Sequence, residues 1–478
     1  MKTYPKQYIG GEWKEGTGSS ILKDINPYTN EVIYEYRSAS KQDVDEAYEK
    51  ASEAQKIWAK TSPAEKVACL RKLEEEWTKS IPDISEILVE EGGGTLMKGA
   101  GEPRTVLNVL RQAYRMPYMM QGKIMPSDIP GKDNYVVRNP KGVILVIAPF
   151  NFPIMLAMRS VIPALATGNA VVLKPSSDTP ATAMAIAEVI DRCDFPKGLF
   201  SAIAGKGSEI GDYIVAHPTP SLLSFTGSTE VGSHVGAIAT SGIKDVSLEL
   251  GGNNSMIVLD DADVERAASA TAMGALGNQG QVCMALNRAI VCPKVYDEYV
   301  EKVAELFREK KCGDPKDPEV EIGPIINTSQ AERIKEIIEE TIKAGARVVV
   351  EGKFDGNVIS PWVFADATMD MPAAKEEVFG PVLTIIKAKD EDDAVNIAND
   401  TIYGLSNAVF TGDLYHGMQV AQRMDSGMVH VNDSSVNDEQ QVMFGGVKRS
   451  GLGRFNAEWV VDKFTYNKWI SVQTTYRF

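Results

Sequence analysis

Basic charge is what this chain lacks first: 50 Lys and Arg stand against 65 Asp and Glu, a formal net charge of −15. Nucleic acid and anionic membrane both need a basic face, so neither is an expected partner. Long apolar runs are missing as well. The best, Gly142 to Met158, is broken by Pro149, Asn151 and Pro153, which excludes the roughly 20 uninterrupted apolar residues of a spanning helix. The opening Met1-Lys-Thr-Tyr-Pro-Lys passes into polar sequence without an apolar signal core, so the expectation is a cytoplasmic protein. Cysteine is scarce and unpaired in spacing: Cys69, Cys193, Cys283, Cys292 and Cys312 suggest free thiols in a reducing compartment. Histidine is scarcer still, with four residues, and His217, His234 and His416 fall on helices or at helix ends. A hydrolase built on a Cys-His pair is poorly supplied, and no metal site is expected.

What is present is a long alternation of strands and helices. At 478 residues the chain exceeds one compact core and suggests two or three domains. Short strands joined by turns open it around Tyr8 to Val32. Helical spacing follows from Lys41, with Ser40 as N-cap, then from Pro63 to Ser80 and again near Thr105. The segment 118–140, interrupted by Gly122, Pro126, Pro130 and Gly131, resembles a hairpin excursion used in assembly. Then buried strands alternate with crossover helices: Val143 to Ala148, Ala170 to Lys174, Phe200 to Ala204, Leu222 to Phe225 and Asp245 to Leu250. The same grammar restarts at Ser255 and runs to Val431. Continuous apolar strands with helical crossovers imply parallel sheets covered on both faces. The expected fold is α/β, with two doubly wound parallel-sheet domains and a small β arm, hinged at Glu249 to Gly252.

Two residues stand out chemically. Cys283 ends the turn Gly277-Asn-Gln-Gly-Gln-Val, where bare backbone N–H groups favour a thiolate. An intracellular cysteine is more often a small buried hydrophobe; Cys292 in Ala289-Ile-Val-Cys and Cys69 on a helix fit that description, and Cys283, among glycines and amides, does not. Glu249 closes an apolar strand, where burial raises a carboxyl toward neutrality, although a hinge carboxylate capping amides is an alternative. Asn151, in Ala148-Pro-Phe-Asn-Phe-Pro153, follows the first buried strand, where doubly wound sheets place ligands. Lys174 ends the second. Phe225-Thr-Gly-Ser-Thr-Glu-Val-Gly232 joins strand to helix through small residues, a geometry suited to pyrophosphate but weak as a pattern.

Together these pieces resemble the aldehyde dehydrogenase superfamily over essentially the whole chain. The residues that carry the resemblance are Pro149-Phe-Asn-Phe-Pro153, Leu173-Lys-Pro-Ser176, Phe225 to Gly232, Leu248-Glu-Leu-Gly-Gly252, Gly280-Gln-Val-Cys283, Glu376-Glu-Val-Phe-Gly-Pro381 and Phe444-Gly-Gly-Val-Lys-Arg-Ser-Gly451. The resemblance implies residues 1–117 and 141–250 as the dinucleotide-binding domain, 251–440 as the catalytic domain, and 118–140 with 460–478 as an oligomerisation arm of a homodimer or dimer of dimers. It implies that Cys283 attacks an aldehyde, that Asn151 holds the oxyanion, and that Glu249 activates the water that releases an acid. Relatives that pass the acyl group to coenzyme A lack this acid. Phe150, Lys174, Ser177, Gly227, Ser228, Leu250, Glu377 and Phe379 would bind the nicotinamide cofactor.

Departures matter too. Phe150 stands where tryptophan is common. Ser177 stands where NAD-preferring relatives often carry glutamate, leaving room for a 2′-phosphate; NADP is therefore an expected cofactor alongside NAD. Leu156-Ala-Met-Arg-Ser160, Cys283 to Arg288, Val429 to Asp438 and Lys468 to Gln473 look like the branch that oxidises benzaldehyde and vanillin. Phe152, Leu156, Met284 and Val436 would line an apolar substrate tunnel, and Arg159 could anchor an acidic substrate. Aliphatic aldehydes, a cofactor-free thiol hydrolase and an inactive binding protein are the competing readings.

Overall fold

Hydrophobic runs too short for helices and bounded by glycine and proline become the strands of two sheets, which a computed structural model describes for residues 5–476. The first has eight strands in the order Glu12–Lys14, Gln7–Ile9, Phe200–Ala202, Ala170–Lys174, Val143–Ile147, Leu222–Thr226, Asp245–Glu249, Gly451–Leu452. Its five central strands are parallel, and the chain runs outward in one direction from Val143–Ile147 and then in the other from Leu222–Thr226. The crevice between those two strands is the switch point where such sheets take ligands. The second sheet orders Arg347–Val350, Trp362–Ala365, Val382–Lys387, Leu286–Val291, Asn254–Val258, Ser406–Phe410, Met428–Val431.

Neither sheet is parallel throughout, as the sequence had suggested. Antiparallel strands finish the first on both edges and the second at Arg347–Val350. These edge strands are short, and an antiparallel neighbour can be reached without a crossover helix. The Trp362–Ala365 strand is absent from the sequence reading; it is four residues long and buried throughout, too short to show a period.

Capping and packing decide the helices. Ser40 starts the helix Lys41–Trp58 with a reciprocal capping box through Asp43. The helix from Pro63 continues to Gly92, well past Ser80. Pro82 removes one backbone bond, but Ile81, Ile84 and Leu88 stay on the buried face, and their burial outweighs that loss. The helix Pro153–Ala166 is buried at all 14 positions, because it lies between the first sheet and the helices around it.

A separate three-stranded sheet pairs Thr465–Gln473 with Lys132–Pro140 along all nine residues, and Lys123–Met125 on the far side. It projects apolar side chains into solvent: Trp469 is 65% and Ile124 77% exposed. Residues 460–464, expected in this arm, instead bury Val460, Val461 and Phe464 in the core of the first sheet, so the arm begins at Thr465. Among the described residues no helix is long and apolar enough to cross a membrane.

Candidate active site

The turn before Cys283 holds three successive residues in left-handed backbone: Asn278 at φ 49°, Gln279 at φ 58° and Gly280 at φ 74°. Such conformations cost on the order of 1 kcal/mol or more for a residue with a side chain and persist only where surroundings impose them. Here they are imposed. The Gln279 amide donates to the Gly93 and Pro324 carbonyls at 2.9 and 3.1 Å, and the Gln281 side chain accepts from Ile326 N–H at 3.0 Å. At Gly280 a Cβ would stand 2.1 Å from the Gly380 carbonyl oxygen, so glycine is required twice over. Downstream, the Asn254 amide donates to the carbonyls of Cys283 and Ala285, both at 2.8 Å. The thiol is thus presented, partly exposed, by a turn clamped on both sides.

Glu249 is fixed as firmly. Its strand pairs with Thr226 on one side and Gly451 on the other, which places the Phe444-to-Gly451 motif against the acid despite two hundred intervening residues. The Arg159 guanidinium donates to Glu249 Oε2 at 3.0 Å, with both side chains buried, while Oε1 has no partner among the described residues. Burial raises the Glu249 carboxyl above its usual range, and the Arg159 charge opposes the rise. Burial, then the neighbouring Glu249 carboxylate, push the Cys283 thiol well above an ordinary thiol. Asn151 is buried and donates through Nδ2 to the Gln281 carbonyl at 2.9 Å, on the same turn that carries Cys283. A primary amide has two hydrogens, so a second remains for an oxyanion.

The residues expected at the cofactor gather around the switch point. Ser228 caps the helix Thr229–Ser241, accepting from Val231 N–H, and presents that helix N-terminus beside Gly227. The helix lies close to the end of the Glu249 strand, for a Cβ at Gly232 would come within 2.2 Å of Leu250 Cδ2. Lys174 is buried with no acid partner among the described residues, held by the Pro175 carbonyl at 3.2 Å, and burial lowers its pKa to about 8. Ser177 follows, half-buried. Phe150 and Phe379 meet edge to face at 5.8 Å, with Phe379 at φ 55°. Glu377 accepts from Gly252 N–H at 3.0 Å, and burial lifts its carboxyl to about 7. A buried cation, a capped helix N-terminus and glycines that admit close approach fit a dinucleotide.

On the substrate side, Phe152, Met284 and Val436 share one apolar cluster with Cys283, Phe444 and Phe455. Leu156 sits one helical turn beyond Phe152 and is buried, outside that cluster. Arg159, another turn on, is engaged by Glu249 rather than open to a ligand. The sequence reading missed Asn254 and Gln279 as supports of the thiol turn; a strand-start Asn and a Gln flanked by glycines carry no local signal of that work. It also missed Phe455 and Lys463 near Glu249. Three of the four histidines, His217, His234 and His416, pair with Asp45, Asp212 and Glu391, and no hydrogen bond joins His430 to Cys283 among the described residues, so the Cys-His reading gains no support.

Comparison with known proteins agrees with this geometry. Residues 13–470 match the model of the Aldehyde dehydrogenase family. The chain is 48% identical to a vanillin dehydrogenase of Corynebacterium glutamicum over 471 residues, covering 98% of this chain and 97% of that one. It is 45% identical to a benzaldehyde dehydrogenase of Bacillus subtilis over 469 residues, 98% and 97% of the two chains. The crystal structure of an NAD-dependent benzaldehyde dehydrogenase from Corynebacterium glutamicum superposes with a TM-score of 0.92 at 44% identity, covering 99% of this chain and 98% of that one.

Proposed function

The chain belongs to the aldehyde dehydrogenase family, and from that premise we propose that it oxidises aromatic aldehydes to carboxylic acids with Cys283 as nucleophile. The observation that carries the reading is the convergence of Cys283, Glu249 and Asn151 beside one apolar cluster containing Phe152, Met284 and Val436.

The Cys283 thiol loses its proton to solvent, its sulfur bonds to the aldehyde carbon, and the carbonyl oxygen becomes an oxyanion that accepts from Asn151 Nδ2–H and the Cys283 N–H. Lys174, Ser228 and Glu377 would hold a nicotinamide cofactor, which when bound would supply the hydride acceptor this oxidation needs. The acyl group remains on sulfur as a thioester. Glu249 then takes a proton from water as its oxygen attacks the acyl carbon; the carbon–sulfur bond breaks and the acid departs. Sulfur suits both halves, since its thiolate is a strong nucleophile and a good leaving group.

Aromatic specificity follows from the surface chemistry and from the relatives that are vanillin and benzaldehyde dehydrogenases. A flat ring would pack on the apolar side chains of Phe152, Met284 and Val436 beside Cys283. Both NAD and NADP are accepted. At Ser177 no carboxylate stands to repel a 2′-phosphate, and the nearby Asp178 is engaged by Asn327 at 3.0 Å and Ser176 at 3.2 Å. The buried Lys174 supplies a charge for that phosphate.

A panel of aromatic and short aliphatic aldehydes, followed at the reduced-nicotinamide absorbance with each cofactor, tests the proposal. The expected result is a kcat/KM at least about tenfold higher for aromatic aldehydes, worth about 1.4 kcal/mol. NADP is expected to support turnover within a hundredfold of NAD, about 2.7 kcal/mol. An aliphatic preference, or NAD favoured by more than that, contradicts the corresponding part.

The arm is proposed to assemble subunits. Its Thr465–Gln473 strand forms an edge with Trp469, Ile470 and Val472 exposed, and open edges of this kind pair with another chain. Light scattering at micromolar concentration should give a dimer or a tetramer; a monomer refutes the assignment.

A further inference from the structure

A guanidinium bound directly to a general base is chemically awkward, since it stabilises the carboxylate and so weakens it as a proton acceptor. The surroundings of Arg159 show how firmly the arrangement is built. Its guanidinium lies between the rings of Phe444 and Phe455, with centroids at 4.6 and 4.4 Å. The Lys463 Nζ sits 3.2 Å from the centroid of the Phe455 ring. Arg159 Nη2 is committed to Glu249 Oε2 at 3.0 Å, while among the described residues Arg159 Nε and Nη1 and Glu249 Oε1 have no partner in the hydrogen-bond geometry, and the Cys283 thiol faces the carboxylate.

We infer that Arg159 is a positioning residue acting through Glu249, which it locks by one carboxylate oxygen so that the free oxygen is offered to the Cys283 side. The inference rests on the reading that Glu249 is the base of the second half-reaction. Two effects compete at Glu249. Burial alone drives a carboxyl toward the neutral acid, which cannot accept a proton from water; the guanidinium opposes that drive. Without it burial would carry the carboxyl further toward the neutral acid. The other groups around Glu249 cannot replace it. Cys283, facing it from the thiol turn, also favours the carboxylate but less than the Arg159 charge does, and Glu377 and Asp438 add negative charge that raises the carboxyl or the thiol further. Lys463, from the helix Trp459–Lys463, has its amine pushed far toward the neutral form by burial. Arg159 is therefore the main group favouring the ionised form of this acid, and the two rings keep Arg159 in place.

The experiment compares the wild type with Arg159→Met and Arg159→Lys, using benzaldehyde and NAD, and reads the burst of reduced nicotinamide separately from the slower release that follows. With Arg159→Met the burst should persist, while the acid limb of the release rate moves up by about one pH unit, about tenfold slower release at a pH on that limb. Arg159→Lys should recover most of the shift. An unmoved acid limb overturns the inference, as does a change confined to the KM of aldehydes bearing a carboxylate or hydroxyl, which would make Arg159 a substrate anchor. If Arg159→Met does not fold, Phe455→Leu removes one face of the clamp and should move the limb in the same direction; no movement again overturns it. Glu249→Gln separates the two levels: a variant that keeps the wild-type acid limb removes Glu249 as the base itself, whatever Arg159 does.

Discussion

Cys283→Ser is expected to lower kcat by about four orders of magnitude or more, about 5 kcal/mol on the barrier, and to abolish the burst of reduced nicotinamide. The loss is chemical rather than structural. Serine fits the clamped turn, whose conformation depends on Gly280, Gln279 and Asn254 rather than on the sulfur, so thermal unfolding should change little. A hydroxyl is far less acidic than a thiol and a poorer nucleophile near neutrality. The wild-type thiol is itself held well above the ordinary range by burial and by the Glu249 carboxylate. The sign of the pH dependence follows: at pH 7 little thiolate is present, and the burst rate should climb as pH rises through and beyond the usual thiol range. A burst rate that falls with rising pH, or Cys283→Ser within tenfold of wild type, would count against Cys283 as nucleophile.

Glu249→Gln should separate the two halves. The burst is expected to remain at about one equivalent per active site, while steady-state turnover falls by about 10²- to 10⁴-fold, the range a general base supplies, or about 3–5 kcal/mol. Glutamine is the informative replacement because its amide oxygen still accepts from Arg159; alanine would leave a buried guanidinium unpaired, typically a cost of about 3–5 kcal/mol in stability. Removing the negative charge should also ease ionisation of Cys283, shifting the burst's pH profile to lower values. Full-rate steady-state turnover by this variant would show that Glu249 does not activate the water. Acid quench followed by mass measurement reads the stalled acyl adduct on Cys283 directly.

How legible these assignments were differs from residue to residue. Cys283, Glu249 and Asn151 were visible because each breaks its context: a thiol among glycines, an acid ending an apolar strand, an amide between prolines. The helix Lys41–Trp58 was visible because Ser40 and the 3.6-residue apolar period agree. The end of the helix Pro63–Gly92 was not, because Pro82 is a breaker locally and only burial of Ile84 and Leu88 overrides it. Arg159 illustrates the other limit. Its sequence neighbours are helix residues, and its partners Glu249, Phe444 and Phe455 lie 90 to 296 residues away, so no local pattern could tell a substrate anchor from a partner of the base.

By itself the sequence determined the α/β class, the order of strands and helices, and the residue types needed for thiol chemistry and dinucleotide binding. Those properties depend on local period, capping and side-chain chemistry, which are properties of short segments. Only the tertiary structure decided that Gly451 forms the edge beside Glu249, that residues 460–464 belong to the core and not to the arm, and that the base is held by a buried arginine stacked between two rings. Each of these is a contact between distant segments, fixed by which surfaces can be buried together, and such contacts exist only once the chain has packed.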